Sequence, residues 1–495
     1  MLVRSLRFTL AVLVVSLLSP LASAQDRDLW YRMLMQDAPV GYVHTTEKTS
    51  GGKITTTNLS KVSIKRGTIA INIEMSSEFV ETLDGTPISA SAVQKMGAIP
   101  SITMVAFDTD KKVMKVASVQ GGAESTSEKP LPQGWLPPAA AGRYMKKQLA
   151  AGEKTIEYST MDLTTGVAVF KLTHKVGEVE KITVSGKEME GRRIEVTNSI
   201  MPSVVTTEHV DADLTPLRTL AKMGAIPVVT ELADASVAGE KSDKSPELMV
   251  STFVVPDKPI DNARKTSKAT YLLSMPAGEV LAIPSAGPQS ASAIDAQTTR
   301  VVVDQKNPAP VQYTPDARSK FLASTAAVNL EDEEIRKLSA KSLQDAAGSP
   351  SDRAEACRRF VYRYINAKSL DTAFATASEV ARNRGGDCSE HGVLLVALLR
   401  AAGIPARGVV GLIYADAFAG REKIFGYHMW AQALLTIDGK ERWVDFDATL
   451  PPQSPTDATH IALGYTDFSD EGSLASMTGV AAAMGQLKIK VESVE

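Results

Sequence analysis

Three side chains in the C-terminal part of the sequence have the types needed to break or form amide bonds: Cys388, His428 and Asp447. Cys388 follows a glycine-rich acidic turn, Gly385-Gly386-Asp387, and opens an apolar segment of helical period that ends near Gly403. A thiol in the first turn of a helix faces unpaired amides and the positive end of the helix dipole, which favour its thiolate. The same amides could stabilise an oxyanion. Cys388 is therefore a candidate nucleophile. The alternative is that Cys388 is only a small apolar residue at the edge of a core.

His428 and Asp447 lie on two alternating strands joined by an Asp438-Gly439 pair, which is a strong hairpin signal. A two-residue turn would set the register of every facing pair, and residues two apart on a strand share a face. One face then collects polar and aromatic side chains: His428, Trp430, Gln432, Trp443, Asp445, Asp447 and Thr449. The other face is almost wholly apolar and is expected to face the core. Asp447 is the diagonal neighbour of His428, and Asp445 lies one step further away. The alternative to a catalytic His428 is a lone histidine in the core or on the surface.

These residue types support acyl transfer. A Cys388 thiolate would attack an amide carbonyl, His428 would take the thiol proton and return it to the leaving amine, and Asp447 would orient the imidazole. Water would complete hydrolysis, or an amine would complete crosslinking, and the residues do not choose between them. Cys388 and His391 have a metal-like spacing, but the sequence has no second ligand pair nearby. We therefore predict no metal and no cofactor, and place His391 behind the site or on the surface.

Several spaced motifs resemble the transglutaminase-like superfamily, in the order in which that family carries them. The resemblance covers about residues 316–465, and its motifs are Gly386-Asp387-Cys388, Gly403-Ile404-Pro405-Ala406-Arg407, His428-Met429-Trp430 and Trp443-x-x-x-Asp447-Ala448-Thr449. It implies a papain-like core of helices packed on an antiparallel sheet, with Cys388, His428 and Asp447 as the catalytic triad. Met429 and Ala448 stand where the family usually has Ala and Pro, and neither position is catalytic.

Two further helices are predicted upstream of Cys388. Asn329 is a candidate N-cap for the first, and Ser349 or Ser351 for the second, which carries Cys357 on an apolar face. That placement predicts a packed, unbridged Cys357. Because exported proteins often pair their cysteines, a Cys357–Cys388 disulfide is the alternative.

The region from about residue 28 to 255 has an apolar period of two with frequent turn signals, which predicts a large antiparallel sheet. A short helix is expected near Ala139–Leu149. The segment Lys-Met-Gly-Ala-Ile-Pro occurs at 95–100 and again at 222–227, which suggests two related half-sheets. The expected fold class is α+β. The expected domains are a signal peptide (1–24), a β-rich domain (25–241), a small β module or linker (242–315) and a catalytic domain (316–495).

The first 24 residues have the layout of a cleavable secretory signal: basic residues, a short apolar run, and Ala22-Ser23-Ala24 before a charged segment. We therefore expect a periplasmic or secreted protein without a transmembrane segment. A net charge of −3 in 495 residues gives no case for nucleic acid binding. The expected partners are a protein or peptide substrate and a cell-envelope component bound through the β-rich region. A non-catalytic periplasmic binding or assembly module that keeps the fold is the competing interpretation.

Overall fold

The structure is a computed structural model. It describes residues 26–66, 69–95, 100–120, 123–163, 167–200, 204–240, 246–276, 281–344, 346, 348–367, 375–468, 480–481 and 483–495. The expected signal peptide and part of the first six-residue repeat lie outside these residues. Within the described ranges, no helix is both long and apolar enough to cross a membrane. The chain divides into two compact units, one reaching to Lys65 and continuing over Ala70–Glu247, the other holding Leu248–Glu495.

The first unit is built on one antiparallel sheet of 14 strands. The first eight strands are β1 (Arg27–Met35), β2 (Ala38–Ser50), β3 (Lys53–Arg66), β4 (Ile69–Thr82), β5 (Pro87–Lys95), β6 (Ser101–Asp108), β7 (Val113–Gln120) and β8 (Ala123–Pro130). After helix α1 (Pro138–Ala150) come β9 (Thr155–Asp162), β10 (Ala168–Val184), β11 (Lys187–Asn198), β12 (Thr206–Val210), β13 (Pro216–Met223) and β14 (Ile226–Ala233). The predicted antiparallel region and its helical insert are thereby confirmed.

Strand order in this sheet follows the chain in two runs that meet at one pair. β1 to β8 are neighbours in sequence order, β9 to β14 likewise, and β1 pairs with β14 to join the two runs. Lys95, the first residue of one repeated segment, is the last residue of β5, and the other copy begins within β13, so one lies in each run. The larger apolar side chains alternate along the strands; Met33 and Met35 in β1 and Val228 in β14 are fully buried.

The second unit combines helices with two smaller antiparallel sheets. Its helices are α2 (Leu248–Ser251), α3 (Pro315–Ser319), α4 (Glu333–Ser342), α5 (Pro350–Tyr364), α6 (Ala377–Asn383) and α7 (Cys388–Ala401). Its strands are β15 (Lys268–Ser274), β16 (Gln289–Ala293), β17 (Thr298–Asp304), β18 (Pro310–Val311), β19 (Ala406–Phe418), β20 (Arg421–Ile437), β21 (Lys440–Phe446), β22 (Ile461–Thr466) and β23 (Lys488–Val494). This combination confirms the α+β class.

The five-stranded sheet of the second unit contributes to two hydrophobic clusters, one shared with the helices and one shared with the four-stranded sheet. Strands β18-β21-β20-β19-β22 form a five-stranded sheet, and helices α4 to α7 pack against it through apolar side chains that include Leu395, Val396 and Ala431. Strands β16-β17-β15-β23 form a four-stranded sheet, whose Tyr271 and Ile489 pack with Phe425 of the five-stranded sheet. The first three of these four strands precede α4 in the chain, and the last is the C-terminal strand.

Helix starts follow local capping chemistry, and one predicted cap is wrong. Helix α4 begins after Asp332, whose side chain accepts a hydrogen bond from the Glu334 N–H, whereas Asn329 closes a turn by accepting the Glu331 N–H. The two glutamates that follow Asp332 suit a helix N-terminus, which explains the later start. Helix α5 begins after Ser349, one of the two predicted caps.

Candidate active site

Helix α7 begins at Cys388, as the sequence predicts, and its first turn is tightly specified. Asp387 is the N-cap, and its side chain forms a capping box with Glu390. Gly386 precedes it with a φ of +138°, and a Cβ at this position would lie 2.2 Å from Glu390 Cγ. Only glycine combines that backbone angle with so close an approach. The turn therefore fixes Cys388 as the first helical residue, partly buried at the edge of the helix–sheet core.

Glu390 is a buried carboxyl two residues after the thiol. Its oxygens accept hydrogen bonds from the backbone N–H groups of Ala375 and Asp387, both at 2.9 Å. Burial, reinforced by the negative charge of Asp387, raises the pKa of Glu390 to about 8. The group therefore keeps its proton at neutral pH and places little negative charge beside Cys388.

His391 is also buried rather than on the surface, with Nδ1 2.6 Å from the Asp387 carbonyl oxygen. It thus belongs to the structure of the first turn of α7. The surface placement that the sequence left open for it is wrong.

The hairpin has the register that the Asp438-Gly439 turn predicts. Both turn residues have positive φ, and Ile437 pairs with Lys440 across it. The β20–β21 ladder ends at the pair Ala431–Phe446, so His428 and Asp447 lie just beyond it, and His428 pairs with Gly411 of β19 instead. The predicted apolar face contributes its side chains to the helix–sheet core: Met429, Ala431, Ala433, Leu435, Phe446 and Ala448. The opposite face is buried as well, with Trp430, Gln432 and Trp443 at most 1% exposed.

His428 and Asp447 are in direct contact. His428 Nε2 lies 2.8 Å from Asp447 Oδ2, and the carboxylate is 1% exposed. Its other oxygen, Oδ1, accepts the backbone N–H of Thr449 at 2.8 Å and the Thr449 hydroxyl at 2.7 Å. Because an ionised carboxylate only accepts, His428 carries its proton on Nε2 and leaves Nδ1 as the basic nitrogen.

Asp445 belongs to a different network. Its carboxylate accepts hydrogen bonds from the side-chain amides of Gln432 at 2.7 Å and Gln305 at 3.0 Å. Gln432 in turn accepts from Arg407, whose guanidinium lies over the ring of Trp443. Asp445 therefore ties strands together, and Asp447 is the aspartate that meets His428.

Cys388 and His428 are positioned by two elements that pack together. Gly392 lies one turn after Cys388 on α7, and a Cβ there would lie 3.3 Å from Cγ of Met429, the neighbour of His428 on β20. The missing side chain lets the helix approach the strand closely. The start of α7 therefore packs against β20 next to His428.

A second histidine, His460, was missed by the sequence reasoning. Its Nε2 lies 3.2 Å from the same Asp447 oxygen that binds His428, and its side chain is fully buried. The sequence does contain a pattern that could have identified His460: Asp-Ala-Thr occurs at 447–449 and again at 457–459, directly before this histidine. The second copy repeats the local geometry, because Asp457 Oδ1 accepts the Thr459 N–H at 2.9 Å and the Thr459 hydroxyl at 2.5 Å.

Two histidines stabilise the ionised form of Asp447. Burial by itself raises the pKa of Asp447, but His428 and His460 outweigh burial and hold that pKa well below its usual value. The nearest ligand atoms of His428, Asp447 and His460 lie within 4.8 Å of one another, a spacing compact enough for a metal ion. Both imidazoles bond the carboxylate directly, so the three side chains form a hydrogen-bonded chain without any ion.

The two tryptophans of this face differ in role. Trp430 lies beside the histidines, its ring centroid 6.1 Å from that of His428 and 5.2 Å from that of His460. Trp443 donates its indole N–H to the Tyr313 hydroxyl at 2.9 Å and packs edge-on against Phe321. Trp443 therefore packs the hairpin, and Trp430 flanks the site.

Comparison with known protein families gives the region a name. The profile of the transglutaminase-like superfamily matches residues 338–448, from within α4 to just past Asp447. The chain contains a transglutaminase-like domain. Cys388, His428 and Asp447 all lie inside the match, and His460 lies outside it. Among curated proteins, none matches the sequence significantly.

Several solved structures resemble parts of the chain. A beta-barrel-like protein of domain of unknown function DUF1849 from Brucella abortus is similar over 42% of this chain and 96% of its own, at 13% identity and a TM-score of 0.35. A candidate cysteine protease from Cytophaga hutchinsonii is similar over 40% and 79%, at 16% identity and a TM-score of 0.27. The periplasmic domain of TgpA from Pseudomonas aeruginosa is similar over 40% and 93%, at 14% identity and a TM-score of 0.24. The assignment of the transglutaminase-like domain rests on the superfamily match.

Proposed function

We propose that the protein is an exported cysteine enzyme that acts on amide bonds of proteins or peptides through a thioester intermediate. Cys388 is the nucleophile, His428 the general base and acid, and Asp447 the residue that orients His428. The observation that carries this proposal is the buried 2.8 Å contact between His428 and Asp447, in a domain whose Cys388 opens a helix against the same strand. A fold kept only for binding has no physical need for this arrangement.

The proposed reaction has two stages. His428 Nδ1 takes the thiol proton, and the Cys388 sulfur attacks the carbonyl carbon of an amide. The imidazolium then gives its proton to the leaving amine, and the acyl group stays on sulfur as a thioester. Water or a substrate amine attacks the thioester while His428 takes the proton of the attacking group, and the thiol is released.

The rest of the chain fits this activity in the following way. Residues 1–24 direct export and are removed after Ala24, so the mature protein works in the periplasm or outside the cell. The β-rich unit, about residues 25–241, presents substrate or docks to the cell envelope. Residues 242–315 form a small β module and residues 316–495 form the catalytic domain, whose C-terminal strand β23 pairs with β15 of that module.

Covalent labelling of the purified mature protein tests the proposal. An amide-mimicking electrophile, a peptidyl chloroacetamide, is expected to modify Cys388 rapidly, and peptide mapping by mass spectrometry identifies the modified residue. Cys357 is the matched control, because it is buried and the pKa of its thiol is raised mainly by that burial. Labelling lost in Cys388→Ala and kept in Cys357→Ala supports the nucleophile. Equal, slow labelling of both cysteines, or none, would leave a non-catalytic module as the better account.

A second assay separates the two outcomes of the thioester. Incubation with a peptide library and a dansylated primary amine distinguishes cleavage from amine incorporation. Both activities require Cys388, so the Cys388→Ala protein is the blank for each.

A further inference from the structure

His460 occupies a buried position behind the proposed triad, directly before β22. Its side chain is 0% exposed, so solvent satisfies neither ring nitrogen. Nε2 faces Asp447 Oδ2 at 3.2 Å. Nδ1 faces the Asp457 carbonyl oxygen at 3.1 Å and Asp457 Oδ1 at 3.5 Å. Both nitrogens therefore point at oxygen atoms that accept hydrogen bonds.

The protonation of His460 follows from these contacts. A main-chain carbonyl can only accept, and an ionised carboxylate can only accept, so each imidazole nitrogen must carry a proton to make its bond. An imidazole with both nitrogens protonated is a cation. The charges balance, because Asp457 Oδ2 also lies 2.7 Å from Arg264 Nη1. A continuous chain thus runs from His428 through Asp447, His460 and Asp457 to Arg264.

Electrostatics point the same way. Burial by itself lowers the pKa of His460, but Asp457 and Asp447 together raise it to about 10. The same partners act on Asp457, whose pKa is lowered by His460 and Arg264 against the effect of burial. The cation is therefore present throughout the pH range in which a cysteine enzyme works.

We propose that His460 is a positioning residue of the active site. It is a permanent imidazolium that holds the Asp447 carboxylate by a hydrogen bond and partly neutralises its negative charge. This inference rests on the proposed function. Asp447 Oδ2 accepts hydrogen bonds from both imidazoles. The positive charge of His460 therefore weakens the electrostatic interaction between Asp447 and His428. His460 thereby limits how strongly Asp447 stabilises the His428 imidazolium and keeps that group able to release its proton.

The charged groups that face this chain come from several elements. His428 approaches Asp447 from β20, and the Arg358 guanidinium from α5 bonds the Asp447 main-chain oxygen at 3.2 Å. Asp457 and Arg264 approach His460 from the other side. His460→Gln substitutes none of these neighbouring side chains, and it replaces the imidazolium beside Asp447 by an uncharged donor.

The test is the pH profile of Cys388 alkylation by chloroacetamide in the full mature protein. In His460→Gln, a side-chain amide can still donate to Asp447 but carries no charge, so Asp447 stabilises the His428 imidazolium more strongly. The midpoint of the alkaline limb of the profile should move to higher pH by roughly half a unit to one unit. The matched control is His44→Gln, which removes another histidine paired with an aspartate, 2.8 Å from Asp28, in the other unit. Its profile should coincide with that of the wild type.

A second measurement does not depend on reactivity. In protein labelled with 15N-histidine, the His460 resonances are assigned by their loss in His460→Gln. They should show both ring nitrogens protonated at one pH unit below the His460 pKa of about 10. A neutral His460 spectrum overturns the inference, as does an unchanged alkaline limb in a folded His460→Gln protein. These results are distinct from a failure of the proposed function, in which Cys388 of the wild type would not be labelled at all.

Discussion

His428 Nε2 lies 2.8 Å from Asp447 Oδ2, and this contact assigns the two ring nitrogens of His428. The carboxylate accepts a hydrogen bond from Nε2, so Nδ1 is the nitrogen available to the proposed nucleophile, Cys388. Asp447 is itself fixed by two hydrogen bonds from Thr449 and one from His460. The imidazole therefore has little freedom to rotate or to change tautomer.

Asp447→Asn is expected to leave the protein folded and to slow turnover severely. An amide nitrogen facing His428 Nε2 would favour the tautomer with its proton on Nδ1, which removes the base; in a related triad the loss is about four orders of magnitude. The measurement is the rate of peptide cleavage or amine incorporation, with folding checked by circular dichroism. Asp445→Asn is the control, since Asp445 contacts Gln432 and Gln305 instead. A comparable loss of rate in both variants would contradict the assignment of Asp447.

The two cysteines should separate activity from stability. Cys388→Ala removes a partly buried side chain at a helix start and should change the free energy of unfolding by about 1 kcal/mol or less while abolishing activity. Cys357 is fully buried, with its sulfur 3.3 Å from the Ser342 hydroxyl. Cys357→Ser buries a hydroxyl and should cost about 1–3 kcal/mol while sparing activity. Urea unfolding and the labelling assay check both, and the reverse pattern would show that the wrong cysteine was chosen.

Gly386→Ala should destabilise the protein and disturb the start of α7. The new methyl group would meet Glu390 Cγ at 2.2 Å with φ at +138°. Gly403→Ala is the matched control, because its φ of +74° imposes the backbone cost alone and no atom lies within 4 Å of the new Cβ. We expect Gly386→Ala to lose at least about 1 kcal/mol more than Gly403→Ala in urea unfolding, and to slow Cys388 labelling. Equal losses would mean that the contact with Glu390 does not matter.

Stability should depend on pH through His460. Its pKa rises from 6.5 in the unfolded chain to about 10 in the folded protein, so folding takes up a proton between these values. A raised pKa stabilises the folded state fully below about 6.5, and this contribution is lost as the pH rises through 10. The urea midpoint of wild type should therefore exceed that of His460→Gln most at the acidic end of this window, and the difference should shrink as pH rises. A constant difference would contradict a charged His460.

Much of the site could be predicted from the sequence because its determinants are local. The helix start at Cys388 depends on Gly386, Asp387 and Glu390, which lie within one turn of it. The hairpin register depends on the Asp438-Gly439 turn, and a period of two then places His428 and Asp447 near each other. The helix that carries Cys357 was likewise predictable from Ser349 and the apolar spacing that follows. Local hydrogen bonding and strand alternation are sufficient for each of these features.

Contacts between residues from separate elements were decided by the tertiary structure. His460 reaches Asp447 because β22 pairs with β19, which pairs in turn with β20 of the hairpin. No local pattern encodes that pairing, and burial of the hairpin's polar face likewise depends on Gln305 and other residues far away in the sequence. The charge of His460 depends on the same packing, since an imidazole in water would be mostly neutral at pH 7. The sequence alone determined which side chains could do chemistry, and tertiary packing decided which of them share a carboxylate.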